Sequence, residues 1–586
     1  MAIEIAWYPV QPADTPGSGY PGFDPHTEIY PKGYQAQEGR LPFACDTICE
    51  QDVTIVLRDG TKIYADVYRP VTDEPVPAIL AWGPAGKRGR NLATGLPMSM
   101  MGPPPGGMPG GPDGKMPPPP PGGNRMPDNS ELSGLQAHGG QDPAIWVQYG
   151  YAIVNADPRG IMASEGDIQY FGTQDAQDGY DTIEWIAAQP WCSGKVAMSG
   201  DHWYAIEQWF FAAQQPPHLC AIAPAEGHAN FYVDETVRGG IPRYDPSARS
   251  RSYSTHGAKI EDICEMAKRY PLYNEYWADK QADFSKITIP AYVTASWTQT
   301  YHSRGTFEGF NAIASGDKWL RVHDIGEFID FRLEENVQDL RRFFDHFLKG
   351  IDNGWEKTPR VRLATLDPGG ENITKRPRNA FPQENQSIQT AFLSADGTMA
   401  PGIPSREGTV SYQADDSKSS AAFTMRFSEE TEITGYLKLR LWVETDEADD
   451  ADLFVRLFKL DEDGTELYAT KGNRYSGPNG RLRASHRALD EEKSTVLEPV
   501  HIHTREQPLT PGVPVAVDIP IWPTSLRFHP GQQLMVRVAG YEVAVDHGGD
   551  ALIETRNRGK HILHMGGTYD SALYYPTVPI VEDGVK

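Results

Sequence analysis

The sequence predicts a mostly parallel α/β domain with helices on both faces of its sheet, followed by an all-β jelly roll. Three observations predict this. Short apolar segments alternate with helical segments up to about residue 360. Beyond that point, segments that alternate apolar and polar residues lie between turn signals. The 586 residues, 39% of them hydrophobic, are enough for two large cores.

The composition opposes several kinds of partner. A net charge of -25 disfavours nucleic acid and anionic membrane surfaces, because both attract clusters of Lys and Arg. The first residues resemble no signal peptide, and no run approaches the ~18 apolar residues of a membrane span. We therefore expect a cytoplasmic protein without nucleic-acid or membrane partners, and the sequence leaves a homo-oligomer open.

The first predicted elements belong to the α/β domain at residues 51–360, which follows an N-terminal arm at 1–50. The stretch "DVTIVLRDGTKIYADVYRP" predicts a β-hairpin around the turn "RDG". "VPAILAWGP" predicts a buried strand. The next segment, 91–140, is so rich in Pro, Gly and Met that we expect a mobile insertion, either a lid or a solvated loop.

Strands and helices then alternate. "GYAIVNADPRG" and "KVAMSG" predict strands, whereas "DAQDGYDTIEWIAAQP" and "AIEQWFFAAQQ" predict helices. The irregular stretch 227–286 suggests an inserted helical cap, and the amphipathic "VQDLRRFFDHFLKGIDNG" is expected to close the domain. Residues 361–586 would form the jelly-roll β-sandwich domain.

A specific resemblance begins at "KVAMSGDHWYAIEQW". This segment resembles the nucleophile elbow of the CocE/NonD family, which includes cocaine esterases and X-prolyl dipeptidyl aminopeptidases. "DPRGIMASEGD" and, near the C-terminus, "HPGQQLMVRVAGYEV" resemble other segments of that family. The resemblance implies an α/β-hydrolase fold with a helical cap and a jelly roll. It also implies cleavage of esters or amides by a Ser-Asp-His triad.

Each catalytic part of that family has a different residue here. His202 stands at the position of the nucleophilic serine, Gln299 at that of the acid, and Glu327 at that of the histidine, with His323 nearby. Ala85 replaces the tyrosine of the oxyanion hole. Because four parts differ together, we expect chemistry other than covalent acyl transfer.

These replacements suggest an acid/base site. Imidazole exchanges a proton near neutral pH, so His202 is the predicted general acid/base, and Glu327 would orient it. Gln299 and His302 would donate hydrogen bonds to a substrate oxygen. Residues near other strand ends complete the predicted substrate site: Trp82, Ala85, Trp203, Tyr204, Glu226, His228, Trp297 and Tyr301. The many aromatic rings suit a small, apolar substrate.

We expect neither a cofactor nor a metal, because the candidate site histidines, His202, His228 and His302, lack the HxH or HExxH spacing and the five cysteines lack CxxC pairs. The preferred interpretation is a non-hydrolytic enzyme, an isomerase, lyase or cyclase, with His202 as its acid/base. Two alternatives stay open. One is a hydrolase of an ester, lactone or amide that uses a water activated by His202. The other is a binding protein without catalysis.

Overall fold

The computed structural model describes most of the chain. The described residues are 3–16, 18–88, 129–244, 252–298, 302–467, 469–470, 473–474, 477–542 and 552–580. Residues 91–128, most of the predicted Pro/Gly/Met-rich insertion at 91–140, therefore lie outside them.

An eleven-stranded sheet forms the first domain. In chain order its strands are β1 His26–Tyr30, β2 Thr47–Val56, β3 Lys62–Pro70, β4 Val76–Ala81, β5 Ala152–Asp157, β6 Cys192–Asp201, β7 Leu219–Ala225, β8 Ala291–Ser296, β9 Lys318–His323, β10 Val361–Thr365 and β11 Ile373–Arg378. Their order across the sheet is β11-β10-β9-β8-β7-β6-β4-β5-β3-β2-β1. Strands β4 to β10 are parallel, and the outer strands pair antiparallel.

Helices cover this sheet on both faces, as predicted. They are α1 Pro143–Trp146, α2 Thr173–Ala187, α3 Trp203–Ala213, α4 Ile263–Arg269, α5 Glu275–Asp279, α6 Ser303–Ala312, α7 Glu327–Asp330 and α8 Glu334–Lys349. All residues of β4, β5 and β8 are buried, since layers on both faces keep water from a central parallel strand. The predicted hairpin and the predicted helices that became α2, α3 and α8 are confirmed.

The second domain is a jelly-roll β domain with a twelve-stranded sheet. Its strands are Ser387–Leu393, Met399–Ala400, Gly408–Gln413, Ser420–Arg426, Thr431–Thr445, Asp452–Leu460, Glu466–Leu467, Asn479–Arg483, Val515–Phe528, Gln533–Ala539, Lys560–Met565 and Ala572–Val578. A buried ion pair, Arg376–Glu432 at 2.6 Å, joins it to the first domain. The Arg238 guanidinium also lies 3.5 Å from the centre of a Trp522 ring.

Three predicted boundaries need correction. The first domain does not end at 360, because β10 and β11 extend its sheet to Arg378. The arm 1–50 is not separate from the domain, because β1 and the start of β2 form the edge of the same sheet. Within the predicted insertion 91–140, Leu132, Leu135 and Ala137 are buried and pack into the domain. Apolar side chains at its end explain this packing.

The predicted helical cap at 227–286 is only partly helical. Its α-helices, α4 and α5, have seven and five residues. Short strands also cross this region: Lys259–Glu261 pairs with Trp7–Pro9, and Tyr253–Ser254 pairs with Gln11–Pro12. The N-terminal arm therefore clamps this region by strand pairing, which period-based sequence analysis could not detect in such short segments. No described helix is long and apolar enough to cross a membrane.

Close packing between α2 and α3 yields a stability prediction. A Cβ added at Gly179 in α2 would lie 2.1 Å from the Phe211 ring of α3. Although alanine favours helices, we expect Gly179→Ala to lower the free energy of unfolding by about 1–3 kcal/mol because of this overlap. Chemical denaturation would measure the change. Gly316→Ala is the control, since nothing lies within 4 Å of its added Cβ; equal effects of both variants would contradict the packing.

Candidate active site

His202 occupies the turn between β6 and α3. Its φ of 58° and ψ of -122° lie in a region that non-glycine residues rarely adopt. The His202 backbone N–H donates to Ala225 O at 2.9 Å, which ties the turn to the end of β7. The side chain stays half-buried. The turn therefore has the strained strand-to-helix form that presents one side chain at the edge of a sheet.

Two further histidines lie next to His202. The His302 ring packs edge-on against the His202 ring, with 4.3 Å between ring centres. The His228 ring lies 5.9 Å from that of His302. His302 is 2% exposed, and neither of its ring nitrogens has a hydrogen-bond partner among the described residues. Burial and the neighbouring histidines lower the pKa of His302 well below its usual range, so its imidazole is neutral.

His228 is buried in a similar way. Its Nδ1 has no partner within the described part of the chain, and burial lowers its pKa to about 4. It packs between the Phe171 ring, edge-on at 5.3 Å, and the Phe231 ring, stacked at 5.3 Å. At neutral pH the two buried histidines are thus uncharged and can each donate or accept a hydrogen bond.

Aromatic side chains form one wall of the site. Trp203, half-buried at the start of α3, meets Tyr170 edge-on at 4.8 Å and lies 5.3 Å from the Phe171 ring. As the first helical residue, Trp203 also has a backbone N–H without an intrahelical acceptor. Hence the wall next to His202 is apolar but carries one main-chain donor.

A second group of charged residues lies behind the turn. Glu226 follows β7 with a φ of 58° and is fully buried. Its Oε1 lies 2.6 Å from Nε2 of His323, at the end of β9. Burial raises the pKa of Glu226, and a hydrogen bond with the Glu327 carboxyl lowers it by a smaller amount. Beyond His323, Arg321 forms an ion pair with Asp330, with Nη1 and Oδ1 at 2.8 Å.

The protonation of this group follows from its geometry. The His323 Nδ1 lies 3.0 Å from Ile325 O, an acceptor, so Nδ1 carries a proton. The 2.6 Å contact between His323 Nε2 and Glu226 then needs one more proton. Burial raises the pKa of Glu226 well above its usual range and lowers that of His323. Burial therefore keeps Glu226 protonated and the His323 imidazole neutral at this short contact.

The structure corrects the predicted role of three aromatic residues. Trp82, Tyr204 and Trp297 are at most 2% exposed and pack inside the domain. Trp82 Nε1 donates to Asp175 Oδ1, Tyr204 OH donates to Gly86 O, and Trp297 Nε1 donates to Ala364 O. These rings fill the core, as aromatic residues at strand ends often do.

The other predicted residues have different outcomes. Ala85 lines a pocket beside Lys87 and Asp157, away from the histidines' ring contacts. Gln299 and Tyr301 lie outside the described residues. Sequence analysis did not select Asp201, although it directly precedes His202, because the sequence does not show that its carboxyl is buried; it did not select Tyr170 because tertiary packing brings that ring to Trp203. No group of three or more potential ligands in the described ranges could hold a metal ion.

Comparisons with known proteins agree with this architecture. The family model of the X-Pro dipeptidyl-peptidases (S15 family) matches residues 59–250. The model of the X-Pro dipeptidyl-peptidase C-terminal non-catalytic domain matches residues 353–574. Together, the two models cover most of both domains described above.

Individual relatives are hydrolases by name. A crystal structure of a CocE/NonD family hydrolase from Staphylococcus aureus is 31% identical, with a TM-score of 0.84, over 95% of this chain and 97% of the other. The cocaine esterase of a Rhodococcus species is 28% identical over 184 residues, 31% of this chain and 24% of that protein. A structure of an α-amino acid ester hydrolase shares the fold, with 17% identity, a TM-score of 0.63 and coverage of 93% and 98%.

Asp201, next to His202, gives a prediction about pH. It is fully buried; burial raises its pKa to about 7, Arg332 opposes the rise and Glu327 adds to it. Folded Asp201 therefore keeps a proton that the unfolded chain loses above about pH 4. The contribution of this carboxyl to the free energy of unfolding therefore falls as the pH rises to about 7. Asn at this position does not titrate, so Asp201→Asn should not lose stability in this way.

We compare the free energy of unfolding of Asp201→Asn with that of the unmodified protein. The difference in favour of the variant should increase by up to about 1.4 kcal/mol per pH unit between about pH 4 and 7, and should stay constant above pH 7. Denaturation curves across this range would measure it. The exposed substitution Asp73→Asn serves as the control. A gain for Asp201→Asn that is constant over the whole range would contradict a buried, protonated carboxyl.

Proposed function

Since the chain belongs to the CocE/NonD family of hydrolases, we propose that it hydrolyses a small, largely apolar ester, lactone or amide by means of a water molecule that His202 activates. The observation that carries the proposal is the pair formed by His202 and His302. A half-buried imidazole on a strained turn packs against a buried neutral imidazole whose two ring nitrogens have no partner among the described residues. The family membership favours hydrolysis over the non-hydrolytic interpretation, since the relatives named above are hydrolases, esterases or peptidases.

His202 supplies the base. Its unprotonated ring nitrogen takes a proton from water as the water oxygen bonds to the substrate carbonyl carbon. The carbonyl becomes an oxyanion. When the bond to the leaving group breaks, the imidazolium returns its proton to the leaving oxygen or nitrogen, and the acid product forms. Glu327 is the proposed partner that orients the His202 ring, and Gln299 a further hydrogen-bond donor to the substrate.

The oxyanion needs donors that are already in place. The Trp203 N–H at the start of α3 is one, by analogy with the residue that follows the nucleophile in other elbows. The neutral His302 is the second: a buried N–H aimed at a developing charge is worth about 3 kcal/mol in the transition state. His302 can do this because its low pKa keeps it uncharged, so donation does not leave a second cation next to the His202 imidazolium.

The substrate would lie against the half-buried ring of Trp203, which the buried rings of Tyr170 and Phe171 support from behind. Such rings favour flat or apolar acyl groups over charged ones. Hydrolysis by water differs from the family's serine mechanism in one important way, since no acyl-enzyme forms. A protein with this site would therefore turn over without a burst of the first product.

The first test replaces the proposed base. His202→Ala should lower kcat/KM for p-nitrophenyl esters of short and aromatic acids by about 100-fold or more, because the water loses its proton acceptor. Initial rates across pH 5–9 would measure the change. His218→Ala is the matched control, because His218 is a surface histidine paired with Glu184. If ester hydrolysis persists in folded His202→Ala, water activation by His202 is wrong.

A second test asks whether a serine nucleophile exists. After exposure to a fluorophosphonate, intact-mass analysis should show no stoichiometric adduct on the folded protein, because the turn at residue 202 presents imidazole. Peptide mapping would locate any adduct. A stoichiometric serine adduct would instead identify an ordinary serine hydrolase. Binding of ester analogues without any turnover would support the remaining alternative, a non-catalytic binding protein.

A further inference from the structure

A separate, partly open pocket of about 20 Å³, enough for one water-sized group such as an ammonium, lies beside α2 and α3. Half-buried Arg159, Gln169 and Gln174 form its polar rim. Apolar side chains of the walls include Pro84, Pro158, Ile161 and Ile168. Buried Trp82, Asp175 and Glu207 form its floor. The hydrolytic mechanism above assigns no role to this floor.

The floor contains a carboxyl pair. Asp175 is 8% exposed and Glu207 3% exposed, and their side chains are hydrogen-bonded to each other. Trp82 Nε1 donates to Asp175 Oδ1 at 3.0 Å. Glu207 Oε2 is buried and has no hydrogen-bond partner among the described residues. A buried carboxyl oxygen without a donor is costly, and this one borders an open pocket.

The nearby cations are engaged elsewhere. Lys280 Nζ donates to Tyr170 O at 2.6 Å and to Glu261 Oε2 at 2.8 Å. At the rim, Arg159 binds both carboxylate oxygens of Asp178 at 2.7 and 2.8 Å. These pairs balance the other charges around the pocket, so the pair on the floor lacks a hydrogen-bonded cation of its own.

We propose that this pocket binds the ammonium group of a small organic amine, with Glu207 and Asp175 as its acceptors. An ammonium has three N–H donors, which suits Glu207 Oε2 and a second carboxyl oxygen. The Trp82 ring adds a surface that attracts cations. The alkyl chain of the amine would extend from the pocket past the apolar walls toward the rim. This proposal does not depend on hydrolysis at His202.

Binding must also account for one proton. Burial and the neighbouring Asp175 raise the pKa of Glu207 well above its usual range. Burial raises the pKa of Asp175 to about 6, and Asp178 adds to this rise. The charge of Lys280 opposes both shifts. The pair therefore shares one proton at neutral pH. When an ammonium enters, the pair ionises fully and that proton leaves to the solvent. Amine binding at pH 7 should thus release close to one proton.

Calorimetric titration of the full chain with propylammonium chloride at pH 7 tests the proposal. We expect saturable binding with a Kd on the order of 1 mM, given the few atoms of the probe. The measured binding heats in phosphate and in Tris should differ by the difference between the protonation enthalpies of the two buffers, because the buffer takes up the one released proton. Uncharged 1-butanol, of similar size, should not bind. Absence of binding, equal binding of 1-butanol or no proton release would overturn the proposal.

Variants locate the site. Glu207→Gln should weaken propylammonium binding by about tenfold or more, since a charged acceptor becomes an amide. Gln174→Arg places a positive charge at the half-buried rim and should weaken propylammonium binding too. This variant keeps the test valid if Glu207→Gln impairs folding. Asp157→Asn is the control, because Asp157 is an equally buried acid that borders a different pocket. Unchanged affinity in Gln174→Arg and in folded Glu207→Gln, or an equal loss in Asp157→Asn, would show that the amine binds elsewhere.

Discussion

The parallel order of β6, β7, β8 and β9 is the constraint on which the candidate site depends. Parallel strands end at one edge of the sheet, so the residues that follow them meet there, however distant in sequence. His202 follows β6, Glu226 follows β7, and His323 ends β9. The bond from His202 N–H to Ala225 O joins two of these ends directly. The strained turn persists because both its strand and its helix are buried, which holds the backbone in an otherwise unfavourable conformation.

Burial then determines which groups at this edge carry charge. An imidazole or a carboxyl removed from water favours its neutral form unless an opposite charge lies close. Burial keeps His302 neutral, and at His228 burial outweighs the attraction of Asp234; Glu226 holds its proton beside His323. Asp330 has Arg321 at hydrogen-bond distance, and the Coulomb attraction of that guanidinium keeps its pKa below the usual range despite burial. The same edge of the sheet therefore holds neutral donors next to one fixed ion pair.

Local sequence patterns were sufficient for the elements but not for every side chain. Periodicity and turn residues identified the hairpin, α2, α3 and α8, and the strand-to-helix turn placed His202 correctly. Trp82 and Trp297 were mistaken for walls of the site because a strand end looks the same in sequence whether its side chain points to a cleft or into the core. Contacts such as that between Glu226 and His323 depend on how β7, β8 and β9 align, and a single sequence does not contain that alignment.

Replacing serine by histidine on such a turn changes what the turn can do. A serine needs a base to remove its proton, and the base must lie across the pocket on another strand end. An imidazole at the turn is itself the base, so the opposite strand end no longer needs one. A carboxyl there, such as Glu327, is then compatible with function, because it can orient the imidazole and stabilise its protonated form. In the proposed mechanism, His202 and Glu327 would exchange the chain positions of an imidazole and its partner, which would keep a proton acceptor at the site without a nucleophile on the turn.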